Sequence, residues 1–553
     1  MNFKIFLFYF IYVVFVLQVS AQENEKNKDV TVVKEYTPSI SDAFKINIAP
    51  NIVDTVSVKP LNFKYYFVNK PVFVPFAIQP IRPAKMLGEP LSFLHKNYVR
   101  IGFASNVMPL FEYYYNNTRS KKLQYGIYLN HLSFHNKIKL ANDLKSPANF
   151  SDNEIKIFGK HLFRYKIIGG ELNFARNGFH YYGTNPLLDS IPPEDKIFQR
   201  FLKFNMNTYI KSIHLDNNHI NYFTKLGYSF FEEKLGNYEN RISLDGNAEA
   251  NINNETVGIN FQGTYINQNT SADTSNGIVV KLMPYVSKIE NVWRIKAGLK
   301  IAADALNNTL LWHFYPMVNL EYNIIENIMI PYIGYDGNLN THYFSTVHEE
   351  NQFVRPDLLV KNENHKMSVF GGIKGAFTKT MFYDFGVSYK LIDDMHFFVN
   401  DTSELLLNHF TTIYDNVQLF ALHGEMTWKK TKKWNLLFHF DYNKYTMENE
   451  KYPWQKPELT ITFSSRYNLQ DKILMNVELF YIDKVYAKTF NNQQTIIPLL
   501  ITSTYDANIS IEYRYNKYFS GFISGKNILG KYELWNYYPT MAFHIMLGLT
   551  YAF

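Results

Sequence analysis

Cysteine is absent from the sequence. That excludes a lipid-attachment cysteine, a disulfide framework, a thiolate metal site and a cysteine nucleophile. It also lets the chain cross an oxidising compartment without mispairing. Beyond the first 17 residues there is no apolar run of 18, which excludes a helical membrane protein. Charge of one sign is scarce too: 56 Lys and Arg against 49 Asp and Glu leave only +7, and the basic residues are scattered among acidic ones. Nucleic acid is therefore not an expected partner. Gly-x-Ser-x-Gly, His-Glu-x-x-His, a phosphate-binding glycine loop and an EF-hand loop are all missing, so no catalytic residue, cofactor site or metal site is expected and the chain does not read as an enzyme.

What the sequence has in excess is aromatic residues, 42 Tyr and 46 Phe, at a slightly negative mean hydropathy. A soluble core needs no such surplus, whereas two aromatic girdles at membrane interfaces do. At the N-terminus, Lys4 precedes an apolar run from Ile5 to Leu17, and Val19-Ser20-Ala21 precedes Gln22. This pattern predicts a secretory signal peptide over residues 1–21.

From Tyr98 onward the period is two. In the last segment Phe543, Ile545, Leu547, Leu549, Tyr551 and Phe553 fall on one face, with Ala542, His544, Gly548, Thr550 and Ala552 on the other. The same dyad recurs around Tyr505–Tyr515, Val257–Tyr265 and Trp434–Tyr442. Short links such as 289–291, 378–380, 469–471 and 516–517 alternate with long polar ones at 183–196, 338–364, 393–410, 444–456 and 487–500. A soluble sandwich lacks this asymmetry. An outer-membrane barrel has short periplasmic turns and long outer loops. The expected architecture is all-β, a transmembrane antiparallel barrel of about 22 strands over residues 98–553 in the cell outer membrane.

Residues 22–97 read differently, with Pro38, Pro50, Pro60, Pro71, Pro75, Pro80, Pro83 and Pro90. Proline removes a ladder donor, so an extended segment is expected. Its apolar stretch Val72-Phe73-Val74 with Phe76 and Ile78 is too sticky for a free linker, so the segment should fill the lumen or bind a periplasmic partner.

Gly525-Lys526-Asn527-Ile528-Leu529-Gly530-Lys531-Tyr532, followed by a loop and the alternating strand to Phe553, resembles the last hairpin of TonB-dependent receptor barrels. Val32-Val33-Lys34-Glu35-Tyr36-Thr37-Pro38 and Pro80-Ile81-Arg82-Pro83-Ala84-Lys85-Met86 resemble a receptor-like group of Bacteroidota type. Asp29-Val30-Thr31-Val32-Val33 looks like a TonB box, the short strand offered to the energy-transducing protein. The resemblance implies solute transport across the outer membrane. It also implies contact with outer-membrane lipid, a terminal aromatic strand (Phe543, Ile545, Leu547, Leu549, Tyr551, Phe553) read by the barrel assembly machinery, and a periplasmic or surface envelope protein as partner. The chain departs from that family because about 75 residues cannot make a full plug domain. A non-transporting barrel subunit of an insertion or secretion complex, and a passive porin, stay open as alternatives.

Three local features receive bland assignments. His131 and His135 lie about 13 Å apart along one strand face, too far to share a metal. His348-Glu349-Glu350 reads as a solvated charge cluster in a long loop. Asp441, His439, Asp506, Glu512 and Arg514 read as polar cover for an inner wall.

Overall fold

In the computed structural model, residues 94–553 are described except 215–218, 272–273, 307–308, 432, 491–495 and 531. Residues 1–93, which hold the expected signal peptide, the TonB-box-like Asp29–Val33 and nearly all of the proline-rich segment, lie outside the described residues.

The described chain is one 22-stranded antiparallel sheet. It closes because the first strand, Asn97–Ala104, pairs with the last, His544–Ala552, from Tyr98 opposite Ala552 to Ala104 opposite Met546. Closure leaves no edge, as hydrocarbon demands, since an unpaired backbone group in lipid costs several kcal/mol. The even strand number puts both ends of the sheet on one side: Asn97 N donates to Phe553 O at 2.8 Å. The expected fold class and strand number are borne out.

Alternation places the barrel in its membrane. Leu547 is 60% and Leu549 54% exposed, whereas His544 and Thr550, on the alternate face, are 5% and 4% exposed. Every member of the predicted outer face, Phe543 to Phe553, is exposed. Ile101, Phe103, Leu172, Phe174, Leu226, Val257, Ile259, Val387 and Tyr389 continue this apolar surface around the wall. An apolar exterior on a closed barrel is the signature of an outer-membrane protein. At Gly424 the cross-strand Phe440 ring occupies the place a Cβ would take, so only glycine lets that aromatic lie flat on the sheet.

Strand lengths are uneven. About 9–11 residues cross a bilayer, yet Met381–Asn400 and Phe410–Thr431 run to 20 and 22. The predicted loop at 393–410 is thus shorter than expected, because the strand continues to Asn400 beyond the lipid-facing Tyr389. Three adjacent pairings break register at one level: Ile330–Asn340 with Glu363–Thr378 between Asp336 and Asn338, Glu363–Thr378 with Met381–Asn400 between His365 and Met367, and Met381–Asn400 with Phe410–Thr431 between Ile392 and Met395. The extra residue lies in Glu363–Thr378 for the first two and in Met381–Asn400 for the third. A bulge bends its strand and re-aims the residues beyond it. Here the upper wall is re-aimed as a block.

The connections follow the predicted asymmetry: 163–165, 253–254, 290–292, 379–380 and 470–472 are short on one side. The long ones, 135–149, 181–197, 341–362, 401–409, 448–458, 483–503 and 527–543, all lie on the other. The predicted 487–500 loop contains a hairpin of its own, Val485–Phe490 with Ile496–Ile501.

Replacing the lipid-facing Leu547 with lysine is expected to destabilise the barrel by about 2–4 kcal/mol if it sits near the bilayer centre, against little for Ser510→Lys on the inner wall. Urea-dependent refolding into liposomes measures both, and equal costs at the two sites would refute the assigned faces.

Candidate functional site

Loops 181–197, 341–362 and 527–543 do not stand free in solvent. They converge into an apolar core at the outer mouth. Inner-wall aromatics Phe179, Phe201 and Phe231 meet Phe344, Val347, Phe353, Val354 and Leu358 of loop 341–362, together with Phe398, Phe410 and Tyr538. Phe344, Val354 and Phe410 are fully buried. These residues come from strands and loops far apart around the ring, so the core bridges the opening. Fully burying side chains of this size contributes about 1.5–3 kcal/mol each.

Hydrogen bonds stitch the loops together across the mouth. Tyr181 donates its hydroxyl to Val354 O at 3.1 Å, Tyr182 to Pro539 O at 3.0 Å, and Tyr538 to Asn408 O. Phe353 stacks on Tyr538 with ring centroids 3.8 Å apart. Backbone bonds pair Phe353 and Arg355 with Phe410, at 2.9 and 2.8 Å, and Asn185 N with Leu406 O at 2.8 Å. Arg355 grips Asp357 through two bonds of 2.6 and 2.8 Å and reaches Asp401 at 3.3 Å.

Buried carboxylates at the strand tops anchor this cap. Glu239, 1% exposed, accepts Ser345 Oγ at 2.8 Å and so pins the start of the short helix Phe344–Glu350. Asp415 accepts the backbone N–H of Asn449 at 3.0 Å and of Glu450 at 2.7 Å, holding loop 448–458, whose Trp454 fills a second core with Phe397, Val399 and Val417. Asp506 accepts Leu529 N at 2.9 Å.

Directly above the stacked bulges lies a compact imidazole and carboxylate group. Glu363 accepts His396 Nδ1 at 2.6 Å and His396 N at 3.0 Å, and it has His342 Nε2 at 3.3 Å and His365 Nε2 at 3.4 Å. His396 Nε2 meets Glu350 at 2.8 Å, and Lys456 Nζ holds the other oxygen of Glu350 at 3.1 Å. Burial pushes the Glu363 carboxyl up, but its three imidazole neighbours outweigh that and hold it well below the usual carboxylate range. Glu350 follows the same logic, burial opposed by His396 and Lys456, and falls to about 2.

The expectation for His348-Glu349-Glu350 is corrected here. His348 is 2% exposed on the buried face of the short helix, its ring 4.2 Å from Phe344 and 5.2 Å from Phe201. Glu350 belongs to the imidazole group, and only the exposed Glu349, paired with Lys203 at 3.0 Å, fits a solvated cluster. The Ser133 hydroxyl lies 3.2 and 3.1 Å from ring nitrogens of His131 and His135, so the two rings stand much closer than the expected separation of about 13 Å, because the strand ends at Phe134 and His135 turns back. His439 and His423 both bond Asp441 on the inner wall, at 2.8 and 2.9 Å. Glu512 accepts Ser520 Oγ at 2.9 Å and faces Arg514 at 3.4 Å.

No family model matches the sequence, and no curated protein matches it either. Solved structures do match. The iron transporter FrpB from Neisseria meningitidis superposes with a TM-score of 0.65 at 10% identity, over 84% of this chain and 82% of that one. The fold is that of the TonB-dependent receptor barrels. The pyoverdine outer membrane receptor FpvA from Pseudomonas aeruginosa gives 0.63 at 10% identity, over 84% and 79%. The ferric-catecholate import receptor Fiu from E. coli gives 0.63 at 10%, over 83% and 82%. These are titled as receptors and transporters, and none is titled as an enzyme.

Burial pushes the His348 imidazole down to about 4. A depressed folded-state pKa contributes stability above pH 6.5 that is lost as pH falls toward 4. Acidification from pH 7 to 4.5 is therefore expected to cost the cap about 100-fold in local stability through this group. Hydrogen exchange over residues 344–354 should lose protection in the native protein more than in His348→Leu. Equal losses would overturn the assignment, and the comparison separates His348 from His396, whose two carboxylates outweigh its burial and raise its pKa.

Proposed function

We propose that this chain is a receptor-like barrel that carries a solute across the outer membrane through a gated pathway. The bridged outer mouth carries this reading. A 22-strand circle is wide enough to need filling, and here the wall's own loops close it with a core that is small enough to open as a unit. The fold shared with proteins titled as siderophore and iron receptors supports transport and leaves the solute open. Asp29–Val33 would serve as the contact for an energy-transducing protein, and the proline-rich segment would act as a reduced plug of the Bacteroidota-type receptors. Outer-membrane lipid and the barrel assembly machinery, reading Phe543 to Phe553, complete the partners of this proposal.

A second reading, a non-transporting subunit of an envelope machine, draws on a different observation. The outer hairpin exposes Phe490, Ile496, Ile497, Leu499 and Leu500 together, an apolar surface suited to a protein partner. A permanently open porin is the least supported, because its mouth would need to be clear.

Planar-bilayer conductance separates the three. The intact protein is expected to be silent, and a variant lacking residues 343–360 and 23–93 is expected to conduct, provided that it keeps the electrophoretic shift of a folded barrel. Conductance of the intact protein would favour a porin. Silence of the folded double truncation, with stable co-purification of envelope proteins in mild detergent, would favour the scaffold.

A further inference from the structure

The geometry points to a transition-metal site of zinc type at His342, Glu363 and His396, which fastens loop 341–362 to the barrel wall. The ligand atoms of these three residues all lie within 4.8 Å of one another. Two ligands at the usual 2.0–2.2 Å from a tetrahedral zinc ion are about 3.4 Å apart. The present separations of 2.6 Å from His396 Nδ1 to Glu363 Oε1 and 3.3 Å from His342 Nε2 to Glu363 Oε2 both fall short of that value, by about 0.8 and about 0.1 Å. An ion therefore fits with shifts of tenths of an ångström. His396 and Glu363 are 5% and 6% exposed, deep enough to exclude competing water.

Three further observations separate this group from an ordinary buried ion pair. His342 Nε2 is buried and makes no hydrogen bond, although it stands 3.3 Å from the carboxylate. The far nitrogen of His396 is held by Glu350, which Lys456 orients in turn. Metal-bound histidines are oriented in this way, by a carboxylate on the nitrogen that the metal does not use. Finally, His365 Nε2 stands 3.4 Å from Glu363 Oε2 but already accepts Asn340 Nδ2 at 2.9 Å, so the fourth position falls to water. Two imidazoles with one carboxylate select zinc, nickel, cobalt or copper over calcium and magnesium, which prefer all-oxygen sets.

The ligands come from three segments re-aimed by the stacked bulges: His342 from the loop, Glu363 from the start of one strand, His396 from the extension of the next. A bound ion would thus cross-link the cap to the wall and add its binding free energy to the closed state. The other imidazole and carboxylate cluster, His423, Glu425 and His439, serves as an internal control. Its two imidazoles already share Asp441 and are far more exposed, 43% and 32% on the side chain.

The test is isothermal titration of zinc chloride into the full chain, purified in detergent and stripped with a chelator. One zinc per chain is expected, with affinity reduced about 100-fold in His396→Ala and about 10- to 100-fold in Glu350→Gln. His439→Ala is expected to leave it unchanged. Electrophoretic mobility before and after heating confirms that each variant is a folded barrel, and His342→Ala, at the least buried ligand, provides a mild second variant. Zinc should also slow proteolysis within residues 341–362 of the native chain and not of His396→Ala. Absence of saturable binding, equal affinity in His396→Ala, or loss of binding only in His439→Ala would overturn the site. Because binding and proteolysis are read without any transport assay, failure here is distinct from failure of the transport proposal.

Discussion

The structure depends on one constraint, that no backbone N–H or C=O may go unpaired in hydrocarbon. Strands satisfy it only by closing on themselves, so the pairing of Asn97–Ala104 with His544–Ala552 is what makes the other ladders a membrane protein. Closure at 22 strands then creates a second problem. A circle of that size has an inner wall too long for its own side chains to fill, and the outer mouth must be left open, plugged or covered. The inner wall is polar where it faces the open lumen. It turns aromatic near the mouth, at Phe179, Phe201 and Phe231, where the loops come down on it.

The cover is held by carboxylates buried at the tops of strands. Glu239, Asp415 and Asp506 each lose their hydration and receive loop hydrogen bonds in return, while Glu363 receives its bonds from His396 of the neighbouring strand. A charge-assisted bond contributes about 1.5–3 kcal/mol, while a buried carboxylate stripped of its partners costs several. The asymmetry makes the cap cooperative. Lifting loop 448–458 alone would strand Asp415, and lifting the short helix alone would strand Glu239. Loops tied to the wall in this way tend to leave together or stay.

Much of the barrel was legible in the sequence, because lipid on one face and water on the other enforce a period of two that no loop can mimic. Phe543 to Phe553 shows this, as do the short links at 290–292, 379–380 and 470–472. The cap was not legible, for the same physical reason inverted. Where both faces of a strand are covered, alternation fades: Phe397-Phe398-Val399 is apolar on both sides, one facing Trp454 and the other the loop core, so the segment resembles a loop in sequence. His348-Glu349-Glu350 was misread because a seven-residue helix is too short to show its apolar period, and its burial depends on Phe201 and Phe231, more than a hundred residues earlier. His342, Glu363 and His396 follow no metal-binding spacing, and the sequence carries no signal that brings them together.

The three bulges connect these two halves of the molecule. Below them the strands keep the lipid-facing alternation, and above them the register has shifted in all three pairings at once, so the ladder continues but points into the mouth. A bulge leaves one residue outside the ladder, and breaks in three adjacent pairings at one level make a weak line across the wall. Regions with few ladder bonds open at lower free energy than the strands around them. Movement of the cap therefore has a natural boundary at this line, with the hairpin around Phe398 and Phe410 above it and the membrane-spanning strands below. A barrel whose wall is rigid in lipid and whose upper edge is hinged can change its opening without breaking its closure.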